Sequence, residues 1–281
     1  MSQTEKDPYA TDFLADYYNI AVVPTLGRDI PVYWEALKKM RELHPYSPTR
    51  VLDIGTGTGR VIRDLAAYIE QDRDDFSNIE FIGLDLSQAM VDNAASLPIH
   101  SLSSQQVSWI QGSALDLEAA LPASQRPVDI LIFAFVSICH LHEPGQVDQF
   151  FRQVAKVLRP GTGRAMVSMH DDIVLSNPNP PVMLIQPDEP YDIRSKKYPN
   201  TVYRTVENGY ETDGNVRHYK CEVTVLDQTA GQERILETNH TSTAVRMTRD
   251  EEELPAIASS QGLQNVDRIR NGHETVYVFA L

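Results

Sequence analysis

Hydrophobic residues along the chain keep one period for a stretch and then change it, and each change marks a new kind of element. Over residues 8–46 the apolar positions Phe13, Tyr17, Ile20 and Ala21, then Tyr33, Leu37 and Met40, recur at helical spacing. Pro24 and Gly27 divide this stretch into two predicted helices. The turn-rich segment from His44 to Pro48 then leads into Val51-Leu52-Asp53-Ile54, a short apolar run ended by glycines, which predicts a buried strand.

From there short apolar runs alternate with helical stripes. Strands are predicted at Arg50 to Ile54, Ile79 to Leu84, Val107 to Ile110, Val128 to Phe135 and Gly163 to Met169. Helices are predicted at Arg60 to Ile69, Ser87 to Ala95 and Val147 to Leu158, while the link after Gln111 has room for a short helical turn. Strands separated by helices imply a parallel sheet covered on both faces, a doubly wound α/β core.

The pattern breaks after His170. Pro178, Pro180, Pro181, Pro187, Pro190 and Pro199 forbid regular helix or central strand, so the chain makes an excursion from the core. Period-2 segments follow at Thr201 to Val206, His218 to Leu226 and Arg234 to Val245. Asn208-Gly209, Asp213-Gly214-Asn215 and Ala230-Gly231 link them, which predicts antiparallel hairpins in a small β-layer inserted into the α/β domain. Thr248 with Glu251 forms a capping-box pattern before a helix at Leu254 to Ser260 that Gly262 ends, with Pro255 placed to split it. Val266 to Arg270 and Thr275 to Ala280, around Asn271-Gly272, add an antiparallel hairpin to the sheet. The chain divides into an N-terminal helical lid (1–48), a core (49–170), the inserted β-layer as a cap (171–247) and a closing helix and hairpin (248–281).

Composition narrows the partners. The 281 residues are 42% apolar and 23% charged, the balance of a globular chain with a full core. Lys and Arg number 25 against 39 Asp and Glu, a net charge of −14 that argues against nucleic acid or an anionic membrane as the main partner. The two cysteines, Cys139 and Cys221, make neither a disulfide framework nor a zinc-ligand spacing, and no metal is expected. A reducing compartment follows. The first residues lack a basic region followed by an apolar run, and the longest apolar stretch, Ile130 to Cys139, is half a membrane span, so a cytoplasmic location is expected.

The candidate chemistry starts at Asp53-Ile54-Gly55-Thr56-Gly57-Thr58-Gly59-Arg60, where a buried strand runs through glycines into a helix. Glycine lets a ligand approach the backbone, and the helix start offers free N–H groups. The dinucleotide fingerprint needs its third glycine where Arg60 stands, so that match is imperfect. Asp85, at the tip of the second strand, is placed to accept both hydroxyls of an adenosine ribose. Charge separates the cofactors. Asp53 and Asp85 repel a pyrophosphate and attract an ammonium and a sulfonium, which favours S-adenosylmethionine over NAD.

Taken in order, VLDIGTGTGRV, FIGLDLSQAM, WIQGSALDL, VDILIFAFVSICHL and LRPGTGRAMVSM resemble the class I S-adenosylmethionine-dependent methyltransferases over residues 50–170. The layout is similar to small-molecule enzymes of that family with an antiparallel excursion after the fifth strand, such as aminosugar N,N-dimethyltransferases and glycine N-methyltransferase. The resemblance implies a Rossmann-like, mainly parallel seven-stranded sheet ending in an antiparallel hairpin. It also implies that Gly55, Gly57, Gly59 and Asp53 hold the methionine end of the cofactor, with Asp85 on the ribose and Leu86 on the adenine. Ser113 and Ala114 stand where relatives often carry an acid for the adenine amino group, a departure from the family pattern. Phe135, ending the fourth strand, is expected near the transferring methyl, and Tyr18, or else Tyr17, over the cofactor.

Each of these residues has a plainer reading: Asp53 and Asp85 as helix caps, and the tyrosines as core aromatics. His140, His142 and His170 stand at or beyond the strand tips, where a neutral imidazole can take a proton, and His140 is the candidate base. Asp171 and Asp172 read as solvated loop acids ahead of a second reading in which they attract a cationic amine, and Cys139 reads as a small buried hydrophobe. The expected function is methyl transfer to a small molecule by positioning and desolvation, with N-methylation favoured over O-methylation. An adenosylmethionine-binding protein without methyl transfer and an NAD-dependent oxidoreductase stand as alternatives. The acceptor and the oligomeric state are not legible.

Overall fold

Thr11 starts the first helix, α1 (Asp12–Ala21), by accepting the Leu14 N–H on its hydroxyl at 3.2 Å. A 3₁₀ turn, Val23–Thr25, follows, and α2 (Ile30–Leu43) opens with Pro31 in its first turn and buries Tyr33, Trp34, Leu37 and Met40. The structure, a computed structural model, describes residues 11–281 except 27, 28, 46, 73–75, 100, 104 and 177–188. Gly27, Pro178, Pro180, Pro181 and Pro187, which shaped the sequence reading, lie outside the described residues.

The core alternates as expected: β1 (Thr49–Ile54), α3 (Arg60–Gln71), β2 (Ile79–Asp85), α4 (Gln88–Ser96), β3 (Val107–Gln111), α5 (Leu117–Ala120), β4 (Ile130–Phe133), α6 (Gln146–Val157) and β5 (Arg164–His170). An excursion of four strands follows, β6 (Tyr191–Arg194), β7 (Thr201–Asp213), β8 (Val216–Asp227) and β9 (Arg234–Arg246). The chain closes with α7 (Glu253–Ser260), β10 (Gln264–Asn271) and β11 (Glu274–Ala280). The main sheet runs β10-β11-β5-β4-β1-β2-β3, parallel except where β11 pairs antiparallel with β5 and β10, and the excursion forms a separate antiparallel sheet, β6-β7-β8-β9. Strand order reverses at β1, between β4 and β2, and ligands bind at the carboxyl ends beside such a switch point.

Alternating residues of the strands feed the two cores. Val51, Ile130, Ile132, Met166 and Val276 pack under α2 and α3, while Leu52, Leu131, Phe133, Val167 and Phe279 pack under α6. A third cluster joins α1 to the excursion sheet through Leu14, Tyr203, Val223 and Val225.

Several expectations need correction. Strand β4 is shorter than Val128 to Phe135: Val128 makes an isolated bridge to Leu158, and the strand ends at Phe133 because Phe135 and Val136 turn to φ 45° and 53°. The Ser137 N–H donating to the Ala134 carbonyl at 3.1 Å closes that turn. The excursion has four strands, since Tyr191–Arg194 pairs with β7. Asn208-Gly209 is not a hairpin link: β7 runs through it as a bulge, with a register shift between Glu207 and Tyr210 and φ 76° at Gly209. The capping box does not form. α7 starts at Glu253 without a side-chain cap, while Thr248 is buried with its N–H on the Ile173 carbonyl at 2.8 Å, which holds it in the core away from the helix end. Pro255 sits in the first turn of α7, where no helical N–H is needed, and does not split it.

Candidate active site

Strand β1 delivers Asp53 to the switch point, and three glycines then carry the chain over its end in left-handed conformations, φ 61° at Gly55, 56° at Gly57 and 83° at Gly59. Side chains with a Cβ resist this region, which explains the glycines. The Asp53 carboxylate accepts the Thr56 hydroxyl at 2.6 Å inside the loop. Burial pushes its pKa up to about 7, against the smaller opposing effects of that hydrogen bond and of Arg60.

The Asp85 carboxylate, at the end of β2, accepts the Gly57 N–H at 2.7 Å and the Ser87 N–H at 2.9 Å. It therefore ties the glycine loop to the turn into α4, whose N-cap is Ser87 and carries no side-chain cap bond, so Asp85 is not the helix cap itself. Leu86 beside it is 73% exposed, an apolar side chain left uncovered next to a fixed carboxylate. Ser113 accepts the Leu115 N–H on its hydroxyl at 3.1 Å, and Ala114 packs against the core.

The glycines divide their labour. A Cβ on Gly57 would stand 3.6 Å from a Tyr18 ring carbon, so Tyr18 closes over the loop. A Cβ on Gly59 would stand 2.5 Å from the Trp109 ring, and one on Gly83 2.4 Å from it. Gly59 and Gly83 thus make room for an indole, with the Arg63 guanidinium 5.8 Å from the ring centre. Trp109 escaped the sequence reading, although Gly83 pairs with it directly across β2 and β3. A glycine opposite a tryptophan on an edge strand is a legible packing signal.

Helix α1 is pinned to the loop by residues that sequence reasoning also missed. The Thr58 hydroxyl donates to the Asn19 side-chain oxygen, and the Asn19 amide donates to Asn93 at 3.1 Å, so α1, the loop and α4 form one unit. Arg60, at the start of α3, donates to both Asp29 oxygens at 2.8 and 2.7 Å, a nearly fully buried pair. Tyr17, next to Tyr18, faces the excursion sheet instead, where its hydroxyl accepts the Thr205 hydroxyl at 3.1 Å. Among the two tyrosines, Tyr18 is the one over the glycine loop.

Burial raises the pKa of Glu274, at the start of β11, and charge from Asp29 adds to that shift. Among the described residues the Tyr33 hydroxyl, the Ser87 hydroxyl and one Glu274 carboxylate oxygen are buried without a hydrogen-bond partner. Asp53, Asp85 and Glu274 thus surround the strand tips while the nearby cation, Arg60, is occupied by Asp29. Once ionised, these acids favour a cationic ligand over a pyrophosphate.

At the tip of β4, Phe135 lies two residues past the strand rather than ending it, and the Val136 N–H donates to the Ser168 hydroxyl at 3.2 Å. Two non-glycine residues in the left-handed region, one of them β-branched, store strain here. His140 follows, exposed on one side, with its Nδ1 3.2 Å from the Ala244 carbonyl of β9. The protein walling the rest of the ring pushes its pKa below the ordinary histidine value, which favours the neutral imidazole. His170 is held by Asp172 at 2.5 Å. Asp171 and Asp172 are not solvated loop acids: Asp171 grips Arg270 and Asp172 grips His170, each with its side chain 14% exposed. Burial raises the pKa of Cys139 to about 12, so it is an unreactive thiol. Among the described residues, no group of three or more His, Cys, Asp or Glu side chains is arranged to hold a metal ion, and no helix is long and apolar enough to cross a membrane.

A doubly wound sheet with a glycine loop and two acids at its switch point is the architecture of an enzyme that binds a nucleoside cofactor. Residues 51–161 match the family described as a methyltransferase domain. The chain is 33% identical over 266 residues to the N-methyltransferase FrzE of a Cladobotryum species, covering 88% of each protein. Among solved structures it resembles a sugar N-methyltransferase from a Streptoalloteichus species, with a TM-score of 0.63 and 16% identity over 100% of this chain and 98% of that one. It also resembles an S-adenosylmethionine-dependent methyltransferase from Clostridium acetobutylicum, with a TM-score of 0.62 and 12% identity over 96% and 97% of the two chains. The protein belongs to the class I S-adenosylmethionine-dependent methyltransferases, and S-adenosylmethionine is its cofactor.

Proposed function

We propose that this methyltransferase acts on a nitrogen atom of a small molecule. The observation that carries this reading is its similarity to an N-methyltransferase along nearly the whole chain, so that the similarity extends beyond the cofactor-binding core into the lid and the excursion sheet. Cys139 and Cys221 are free thiols, which supports a reducing, cytoplasmic setting.

In this reading Asp85 holds the ribose hydroxyls and Leu86 lies against the adenine. The Gly55 and Gly57 backbone and Asp53 hold the methionine end, and Tyr18 covers it. Gly59 acts mainly as a packing residue that admits Trp109. Phe135 borders the reacting atoms. S-adenosylmethionine, when bound, supplies a methyl group on a positively charged sulfur. The protein's part is to bind, align and keep water out: the lid helix α1 is tied to the loop through Asn19 and Thr58, and the excursion sheet forms the opposite wall through His140 and Ala244. A neutral amine brings its own lone pair and needs no base to attack.

O-methylation is the second reading, and His140 is the observation that favours it. With Nδ1 turned to the Ala244 carbonyl, its Nε2 is the atom left to accept a hydroxyl proton. The test is a panel of small amines and phenols incubated with the enzyme and S-adenosylmethionine, with S-adenosylhomocysteine and methylated product followed by mass spectrometry. Amine products that persist within about tenfold in His140→Ala support N-methylation, because transfer to an amine nitrogen needs no base at His140. Phenol ethers that disappear in the same variant overturn it.

A further inference from the structure

The inner face of the excursion sheet carries a carboxylate that the cofactor chemistry does not use. Glu207 lies half-buried on β7, opposite Cys221 in register, where the bulge at Gly209 shifts the strand. One of its oxygens accepts the Tyr191 hydroxyl at 3.3 Å. The Tyr191 and Tyr17 hydroxyl oxygens are also 3.3 Å apart, and Tyr17 accepts from Thr205, so three hydroxyls line up beside one carboxylate.

Several other acids on or beside this sheet have a basic partner, while Glu237 accepts the Thr11 hydroxyl at 3.0 Å and the Asn239 amide at 2.8 Å instead. Asp192 and Glu233 share Arg204, Glu211 takes Lys220, and Glu222 faces His240 at 3.3 Å. Glu207 has none among the described residues, and its second oxygen accepts no hydrogen bond there. A carboxylate drawn partly out of water without a counter-charge is costly, and burial accordingly raises its pKa. Cys221 across from it gives no help, since burial and the Glu207 charge hold that thiol neutral, with a pKa of about 11. The position is also the right one. Tyr17 belongs to this cluster and Tyr18, the next residue, covers Gly57, so the group sits on the sheet side of the lid whose other side closes the cofactor loop.

We infer that Glu207, framed by Tyr17 and Tyr191, is the recognition site for the ammonium group of a small cationic amine acceptor. The inference rests on the N-methylation reading above and names the class of acceptor it takes. A carboxylate beside tyrosine hydroxyls suits an ammonium, through a charge-assisted hydrogen bond to the carboxylate and further hydrogen bonds to the phenolic oxygens. Before transfer the ammonium gives one proton to the Glu207 carboxylate, forming a neutral amine and a carboxylic acid. The freed nitrogen lone pair then forms the N–C bond as the C–S bond breaks, with that bond's electron pair staying on sulfur.

The test uses the full chain saturated with S-adenosylhomocysteine, whose own binding is first measured by calorimetry. Benzylamine, tyramine and cyclohexylamine are compared with benzyl alcohol, p-cresol and cyclohexanol by ligand-observed NMR. The wild type should favour each amine over its neutral counterpart by about tenfold or more. Glu207→Gln should lose that preference, and Glu207→Asp, which keeps the charge, should retain part of it, while S-adenosylhomocysteine affinity and Tm stay unchanged in both. Amines that bind no better than their neutral counterparts, or a preference that survives in Glu207→Gln, would overturn the inference. Failure of S-adenosylhomocysteine to bind would count against the methyltransferase reading instead, since the amine comparison can also be made without it.

Discussion

The Asp85 carboxylate and the Gly57 N–H stand 2.7 Å apart, joining the tip of the second strand to the glycine loop across 28 positions. The same carboxylate holds the Ser87 N–H, so it sets the loop before any ligand arrives. Asp85→Ala removes both charge-assisted bonds as well as the proposed ribose partner, each worth about 1.5–3 kcal/mol. S-adenosylmethionine binding measured by calorimetry should weaken at least tenfold. An affinity within twofold of wild type removes Asp85 from the site.

Asp53 predicts a pH dependence. Its pKa in the folded protein is raised from 3.8 to about 7 by burial, so the fold favours the protonated form. The stability this group contributes is fully present below its unfolded value and is lost as pH rises through the folded value, which makes the ligand-free protein less stable between about pH 4 and 7. A cationic ligand reverses the preference, so binding should release a proton. Calorimetry at about pH 6.5 in two buffers of different ionisation heat should show this release, and Asp53→Asn should abolish it. Equal release in the variant assigns the proton elsewhere.

The Arg60–Asp29 pair joins α3 to the start of α2 with both side chains less than a tenth exposed. Breaking one side leaves a buried charge without a partner. Asp29→Ala should cost about 3–5 kcal/mol in urea unfolding, whereas the joint change Asp29→Leu with Arg60→Met should recover most of that loss. Additive losses in the double variant would show that the two residues act separately.

Trp109 fills space that Gly59 and Gly83 leave open. Gly83→Ala forces the indole aside and should cost about 1–3 kcal/mol, while Trp109→Ala leaves a cavity and should cost about 3–5 kcal/mol. In Gly83→Ala with Trp109→Leu the overpacking disappears, and unfolding curves should show less than the sum of the single losses.

The sequence by itself determined the order of elements, the seven-stranded sheet with its hairpin, the glycine loop and both switch-point acids. These are local or periodic features: alternating burial along a strand, the helical stripe, and a glycine forced by a positive φ each leave a mark within a few residues. The tertiary structure decided what long-range packing controls. Nothing in the run from Val128 to Phe135 shows that the chain leaves the ladder at Phe133, because the strained turn there is stabilised by Ser168, a residue of another strand. Nor does Asn208-Gly209 disclose a bulge inside a long strand instead of a turn, since continuous pairing with β8 outweighs the local turn preference. The choice between Tyr17 and Tyr18 had the same cause. Adjacent residues on a helix point about 100° apart, and only the docking of α1 between the glycine loop and the excursion sheet determines which of them faces Gly57 and which faces Thr205.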